Sequence, residues 1–412
     1  MMSLKLSVAA ALIVIGVSAA HAQDSDDLGL LRSAAIAGDA RAQFTLASRY
    51  YRGLGVQQDY EQAVELYRQG ADQGFAPAQV RLGQMYEHGL GLAQSYGRAM
   101  TLYRMAAVQG DPQAQYDLAM LYETGKGGRE DYAQALEWFR KAAEQGEPDA
   151  EEEVGYFYQR GFLGARDYQQ AQAWYKRAAE HDCANAQNQL GYMVQLGLGV
   201  SQDYVQALDW YYKAAAQGNP NAQENIGYMY QHGLGVEVDY LEAQNWFYKA
   251  AGQGNSNAEN QLGYLYQYGL GVPQDFVQAL AWYRMAADQD NKTAMDNLAT
   301  VSAILKSGEP GVWDSANAAV QRAAEMQAAR RVRIANLQRQ IIDLESDAQR
   351  EESLAADLSE SNPQAVKGTN ALGPLGALQL RKEANHFRAE AARLRGELAG
   401  LNVLSAAAGS AQ

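Results

Sequence analysis

The sequence predicts an all-α chain organised as a solenoid of stacked helix–turn–helix units. Three observations carry this. An aliphatic residue recurs every 36 positions, at Leu46, Leu82, Leu118, Val154, Leu190, Ile226, Leu262 and Leu298. A small residue follows each of them: Ala47, Gly83, Ala119, Gly155, Gly191, Gly227, Gly263 and Ala299. A glycine-bearing turn such as Gly197-Leu198-Gly199-Val200 returns in nearly every unit. A fixed period of roughly 20–50 residues marks repeat architectures, in which one unit cannot bury its apolar stripe alone and stacking on neighbours does so.

The middle unit shows how each element arises. Helix A is expected from about Asn185 to Leu196. Its core face carries Ala186, Leu190, Gly191 and Val194, the i, i+4 spacing of one helical stripe. The small residue beside Leu190 lets a neighbouring helix approach. In most units a tyrosine stands four residues past the aliphatic position: Tyr50, Tyr86, Tyr122, Tyr158, Tyr230 and Tyr266, with Val194 in between. Gly197 and Gly199 end the helix, since glycine accepts positive φ without a Cβ penalty. Asp203 is placed to cap helix B, which is expected over about Tyr204 to Gln217 with Ala207, Trp210, Tyr211, Ala214 and Ala215 inward. Gly218 closes it. Seven such units fit between about Gly38 and Asp290. Leu28 to Ala37 forms a half unit ahead of them, and Asn291 to Ser307 reads as a last helix A without the Gly-x-Gly turn.

The run Ala222…Ile226-Gly227…Tyr230…Gly233-Leu234-Gly235-Val236…Asp239-Tyr240…Ala243…Trp246-Phe247…Lys249-Ala250-Ala251…Gly254 resembles the SEL-one-like repeat (SLR), a relative of the tetratricopeptide repeat. The resemblance covers about Leu28 to Leu305. Ser95 stands where Asp is usual, Val194 where Tyr is usual, and Phe162-Leu163-Gly164 stretches one turn. The resemblance implies a right-handed α/α superhelix that binds proteins, without specifying a partner or pathway.

The flanks differ from the repeats. Lys5, the apolar run Leu6 to Val17 and Ala20-His21-Ala22 read as an export signal over residues 1–22, cleaved before Gln23. The run is shorter than the roughly 20 residues that span a bilayer, so the expectation is a periplasmic protein with no membrane insertion after cleavage. The repeat region then occupies 23–308. Beyond the break at Glu309-Pro310-Gly311, residues 309–412 are expected to form a helical, coiled-coil hairpin. Its first helix carries Ile334, Leu337, Ile341 and Leu344, residues 361–376 form a linker, and its second helix carries Leu380, Phe387, Leu394 and Leu401. Pairing with a second copy through these helices is the alternative.

Chemistry is sparse. The net charge is −14, and the 12 Lys/Arg and 13 Asp/Glu after Gly308 nearly cancel, so the acid sits on the repeats. An acidic surface disfavours nucleic acid and anionic lipid as partners. The Arg330-Arg331-Arg333 cluster reads as a solvated helix face. No His-Glu-x-x-His or Gly-x-Ser-x-Gly occurs, and His88 and His232 lie four repeats apart, too far to share a metal. The Glu151-Glu152-Glu153 run reads as complementing a helix dipole, with a cation site as the alternative. Cys183, the only cysteine, occupies a helix-to-helix turn with no partner for a disulfide within the chain. The expectation is a non-enzymatic protein with no cofactor and no metal. A hydrolase of the β-lactamase-like type is disfavoured: relatives associated with β-lactams carry a Cys pair in each repeat.

A partner surface can be located by angle. With Leu190 at zero and about 100° per residue, Asn188, Tyr192 and Gln195 fall on the opposite side of helix A. The same places hold Glu152, Tyr156 and Gln159; Glu224, Tyr228 and Gln231; and Asn260, Tyr264 and Gln267. Tyr gives rigid contact area with a polar tip, and Gln pairs with amides or hydroxyls. Tyr156, Tyr192, Tyr228 and Tyr264, with Gln159, Gln195, Gln231, Gln267, Asn188 and Asn260, are therefore expected to bind a cell-envelope protein or peptide. The competing role for the tyrosines is packing against the next unit. Glycan or peptidoglycan binding is the other class such rows suit.

Overall fold

A computed structural model of the chain describes residues 28–307, 329, 332–333, 335–349, 352, 381–382 and 384–395. The expected export signal, the expected break after Gly308 and the expected linker 361–376 lie outside the described residues. In chain order the helices are α1 (28–36), α2 (Ala40–Arg52), α3 (Tyr60–Asp72), α4 (Ala76–His88), α5 (Tyr96–Ala107), α6 (Pro112–Thr124), α7 (Tyr132–Glu144), α8 (Pro148–Arg160), α9 (Tyr168–Glu180), α10 (Ala184–Leu196), α11 (Tyr204–Ala216), α12 (Pro220–His232), α13 (Tyr240–Gly252), α14 (Ser256–Tyr268), α15 (Phe276–Ala287), α16 (Lys292–Lys306), α17 (335–349) and α18 (384–395). No strand occurs among the described residues. The even-numbered helices from α2 to α16 are the A helices, and the odd-numbered ones from α3 to α15 are the B helices.

The chain divides into two compact units. One holds the described residues up to Met193 together with Gly197–Ser201. The other holds Val194–Leu196 and the described residues from Gln202 onward. Both are built by the same local rules. Asp59, Ser95, Asp131, Asp167, Asp203, Asp239 and Asp275 each cap a B helix by accepting from its first N–H groups. The serine does the work of the aspartate it replaces. Most A helices end in a left-handed glycine, as at Gly89 with φ 70°. The second turn glycine meets a different demand. A Cβ on Gly91 would lie 2.6 Å from the carbonyl of Tyr60, the first residue of the preceding B helix, so this position is where one repeat's turn touches its neighbour's backbone. The stretched turn after α8 is the exception: Phe162 enters instead and stacks on Tyr132 at 4.8 Å and 11°.

One aromatic side chain of each B helix is buried: Tyr67, Tyr103, Phe139, Tyr175, Tyr211, Phe247 and Tyr283 are at most 1% exposed. Where helix A carries glycine, the ring lies on the glycine itself. A Cβ would come within 2.6 Å of the Tyr103 ring from Gly83, 2.8 Å of Tyr175 from Gly155, 2.6 Å of Phe247 from Gly227 and 2.6 Å of Tyr283 from Gly263. The recurring small residue thus gives the ring its seat. Trp210, expected inward, is only half-buried, and Leu208 is buried beside Tyr211.

A buried polar rung runs through the same hairpins. Gln79 donates from Nε2 to the Ala71 carbonyl of the preceding B helix at 3.2 Å and accepts from Gln109 at the end of its own B helix at 2.8 Å. Gln43 with Ala35 and Gln73, and Gln115 with Ala107 and Gln145, repeat the arrangement. Each rung ties three successive helices and satisfies groups that burial would otherwise leave unpaired.

The C-terminal segments α17 and α18 pack through Leu337, Ile341, Ala391 and Leu394. Glu345 pairs with Arg395, and Glu352 with Arg388. One number rises as the other falls, so the two helices run antiparallel, as a hairpin requires, and this seam is occupied within one chain.

Substituting Gly263→Ala should lower the melting temperature. Overpacking against Tyr283 costs about 1–3 kcal/mol, and the helix propensity gained from alanine returns only about 1 kcal/mol. Thermal unfolding followed by circular dichroism measures the difference.

Candidate functional site

The face of helix A expected to bind is only partly open. Tyr192 is 41% exposed and Tyr264 37%, while Tyr156 and Tyr228 are half-buried. Three of these tyrosines find ring partners within their own repeat. Tyr228 lies 4.2 Å from His232, Tyr264 lies 4.6 Å from Tyr268, and Tyr156 meets the guanidinium of Arg160 at 5.5 Å and the ring of Phe162 at 5.7 Å. The second unit therefore presents paired side chains one helical turn apart on successive A helices, Tyr228/His232 then Tyr264/Tyr268. Burial holds the His232 imidazole below its usual range, so it is neutral at pH 7.

The glutamine row has a role that the angular argument did not reveal. Gln159, Gln195 and Gln267 each accept from the hydroxyl of the buried B-helix tyrosine of their own hairpin, Tyr175 at 2.6 Å, Tyr211 at 2.5 Å and Tyr283 at 2.6 Å. Gln231 occupies the same place opposite Phe247, which has no hydroxyl. Its Oε1 is buried without a hydrogen-bond partner, in a side chain only 6% exposed. The asparagines also turn inward. Asn188 is 8% exposed, and Asn260 accepts from Asn297 at 3.0 Å. The physical reason is that helix A touches more than one neighbour, so the side opposite its aliphatic stripe is not all solvent. The signal for the glutamines lay in the sequence as a 16-residue spacing from Gln to B-helix Tyr, broken at Phe247.

The acidic run after Pro148 separates into two roles. Glu151 is fully buried, with its carboxylate 2.9 Å from Arg177 and 3.0 Å from His181. It replaces the glutamine of the polar rung, and His181 replaces its glutamine partner. Glu152 and Glu153 face the other way, into an open pocket of about 480 Å³ in the first unit. Glu123, Tyr132, Tyr156 and Met120 also line it. Burial first, then Asp149 and Glu123, pushes the Glu152 carboxyl up to about 7; burial, with Glu152, Glu123 and Asp149, pushes Glu153 up to about 8. Burial alone raises Glu123, and in the second unit raises Glu224 to about 7. No group of three or more His, Cys, Asp or Glu side chains among the described residues could hold a metal ion. The Cys183 thiol is pushed up to about 11 chiefly by burial, which keeps it protonated at neutral pH.

The Sel1 repeat pattern matches seven consecutive stretches, residues 40–75, 76–111, 112–147, 148–183, 184–219, 220–255 and 256–291. The chain belongs to the Sel1 repeat family. Each match begins at the first residue of an A helix and contains one hairpin. Among solved structures, the chain is similar to c5321, a protective antigen present in uropathogenic Escherichia coli strains displaying an SLR fold. The two share 32% identity over 87% of this chain and 71% of that one, with a TM-score of 0.60. It is also similar to a Sel1 repeat protein from Oxalobacter formigenes, at 31% identity over 59% of this chain and 96% of that one, with a TM-score of 0.56. No curated protein matches. Sel1 repeat proteins generally mediate protein–protein interaction and are typically non-catalytic.

Phe247→Tyr should raise stability by about 1 kcal/mol, because the new hydroxyl would satisfy the buried Gln231 carbonyl as it does in three other hairpins. A higher melting temperature checks this. The raised carboxyls fix the sign of a pH effect. The folded chain holds protons that the unfolded chain, with carboxyls near their ordinary value of 4.5, has released. This contribution to stability therefore falls as pH rises from about 5 to about 8. A Glu152→Gln, Glu153→Gln variant should flatten the slope, read from melting temperatures across that range.

Proposed function

We propose that this Sel1 repeat protein is an exported, non-enzymatic scaffold that binds a protein or peptide of the cell envelope along its A helices. The observation that carries the reading is the aromatic one. Tyr192 and Tyr264 stay substantially exposed on helix A, as Tyr268 does beside Tyr264, while the core ring of each B helix is fully buried. Packing of the hairpins does not account for that exposure, whereas a partner would use it, since rigid aromatic side chains with polar tips recur at binding hot spots. The ring contacts of Tyr156, Tyr228 and Tyr264 within their own repeats leave the paired side chains as ready-made platforms. The export signal over residues 1–22 supports a periplasmic location, and the acidic repeats favour a protein partner over nucleic acid or anionic lipid.

A Tyr192→Ala, Tyr264→Ala variant should lose at least about tenfold in affinity for partners captured from a periplasmic extract, the scale of two hot-spot rings. Its melting temperature should fall by no more than a few degrees, as for surface substitutions. Capture followed by mass spectrometry, run beside a glycan array, makes the comparison. Unchanged protein capture with binding to glycans that the variant loses would transfer the surface to sugars.

A further inference from the structure

The pocket of the first unit differs from a solvated acidic surface in three respects. It is an open, shallow concavity of about 480 Å³, within the size range of small-ligand sites. Its walls are aromatic as well as acidic: Tyr132 and Tyr156 line it beside the carboxylates, and the faces of such rings attract cations, as Tyr156 does the Arg160 guanidinium at 5.5 Å. Its carboxylates lack counterions: no ion pair or hydrogen bond to a described side chain neutralises Glu123, Glu152 or Glu153, and the charged groups that shift them are one another and Asp149.

Comparison between repeats shows why the Glu123 carboxylate has no internal donor. The place of Glu123 is held by Glu87 one repeat earlier and Gln159 one repeat later. Glu87 accepts the Tyr103 hydroxyl at 2.8 Å and Gln159 accepts the Tyr175 hydroxyl at 2.6 Å. In the third repeat the ring is Phe139, so the acceptor receives no internal hydroxyl and its carboxylate is left at the pocket wall.

We propose that this pocket receives a lysine or arginine side chain of the protein partner, held by the Glu123, Glu152 and Glu153 carboxylates against the rings of Tyr132 and Tyr156. The proposal rests on the protein-binding reading above and adds its chemistry: the partner is basic where it meets the first unit. Entry of the cation replaces mutual repulsion with three charge-assisted contacts in a partly desolvated site, where such contacts are strong. The groups facing Glu152 and Glu153 are Asp149 and Glu123, with Tyr116, Tyr132, Tyr156, Tyr175, Cys183 and Arg160 around them. Since burial and the neighbouring carboxyls push these two groups up to about 7 and about 8, occupancy by a cation should release protons and tighten as pH rises.

The probe is a fluorescein-labelled trilysine peptide with a triglutamine counterpart, followed by anisotropy at about 0.15 M salt, where long-range attraction is screened. The trilysine peptide should bind the full chain more tightly at pH 8.5 than at pH 6, and the triglutamine peptide should not bind. Glu152→Gln with Glu153→Gln should weaken binding at least about tenfold, the scale of removing desolvated charge contacts. Phe139→Tyr, which offers Glu123 the hydroxyl its neighbours have, should weaken it about threefold without lowering the melting temperature. The exposed pair Glu61→Gln with Glu65→Gln removes the same charge elsewhere and should change little. Equal losses in the control, or none in the pocket variants, would overturn the proposal. Partner capture that depends on Tyr192 and Tyr264 but not on Glu152 and Glu153 would leave the scaffold reading standing and sink this one alone.

Discussion

The contact on which the rest depends is the aromatic ring of helix B lying on the small residue of helix A. Each fully buried large side chain contributes about 1.5–3 kcal/mol, and the chain places one in each of seven hairpins. The contact also sets geometry. With glycine at the seat, as at Gly155 and Gly263, the ring reaches the backbone of helix A and fixes the spacing of the pair. Tyrosine hydroxyls at that depth must find acceptors, and Gln159, Gln195 and Gln267 provide them. A packing decision thereby determines the orientation of side chains at the edge of the helix A face. Where the ring is phenylalanine, the acceptor is released, buried at Gln231 and open to a pocket at Glu123.

Successive hairpins are joined by a second set of contacts. The polar rung through Gln43, Gln79 and Gln115 ties each A helix to the B helices before and after it. Hydroxyl pairs, Tyr212 with Tyr230 at 2.9 Å and Tyr248 with Tyr266 at 2.7 Å, join α12 and α14 each to the B helix of the repeat before, and Arg104 donates to Tyr122 at the same place in the first unit. Val194 lacks the hydroxyl that this position has elsewhere. Stability in such an array is shared between neighbours, so function can be placed on positions that the hairpin itself does not need. Tyr192 and Tyr264, exposed on helix A, are the positions proposed for it.

The period, the helix pairs, the capping aspartates and the turn glycines were all legible in the sequence, because each reports a local demand that recurs in step. The tyrosine row was legible by angle, and two of its members are exposed. The glutamine and asparagine rows were misjudged in emphasis. Helix A packs against several neighbours at once, and one aliphatic stripe cannot reveal the others. The division of labour among Glu151, Glu152 and Glu153 was also beyond a sequence reading, since consecutive helical residues point about 100° apart and only the positions of Arg177, His181 and Tyr156 show what each one meets.

A double-mutant cycle between Gly227 and Phe247 tests the central claim most directly, since this pair has no hydroxyl to complicate it. Gly227→Ala and Phe247→Leu, alone and together, are compared by denaturant unfolding. If the ring sits on the glycine and sets the helix pair, the alanine should cost clearly less once the ring is gone, giving a coupling of about 1 kcal/mol or more. Costs that simply add would show that helix A and helix B pair for some other reason.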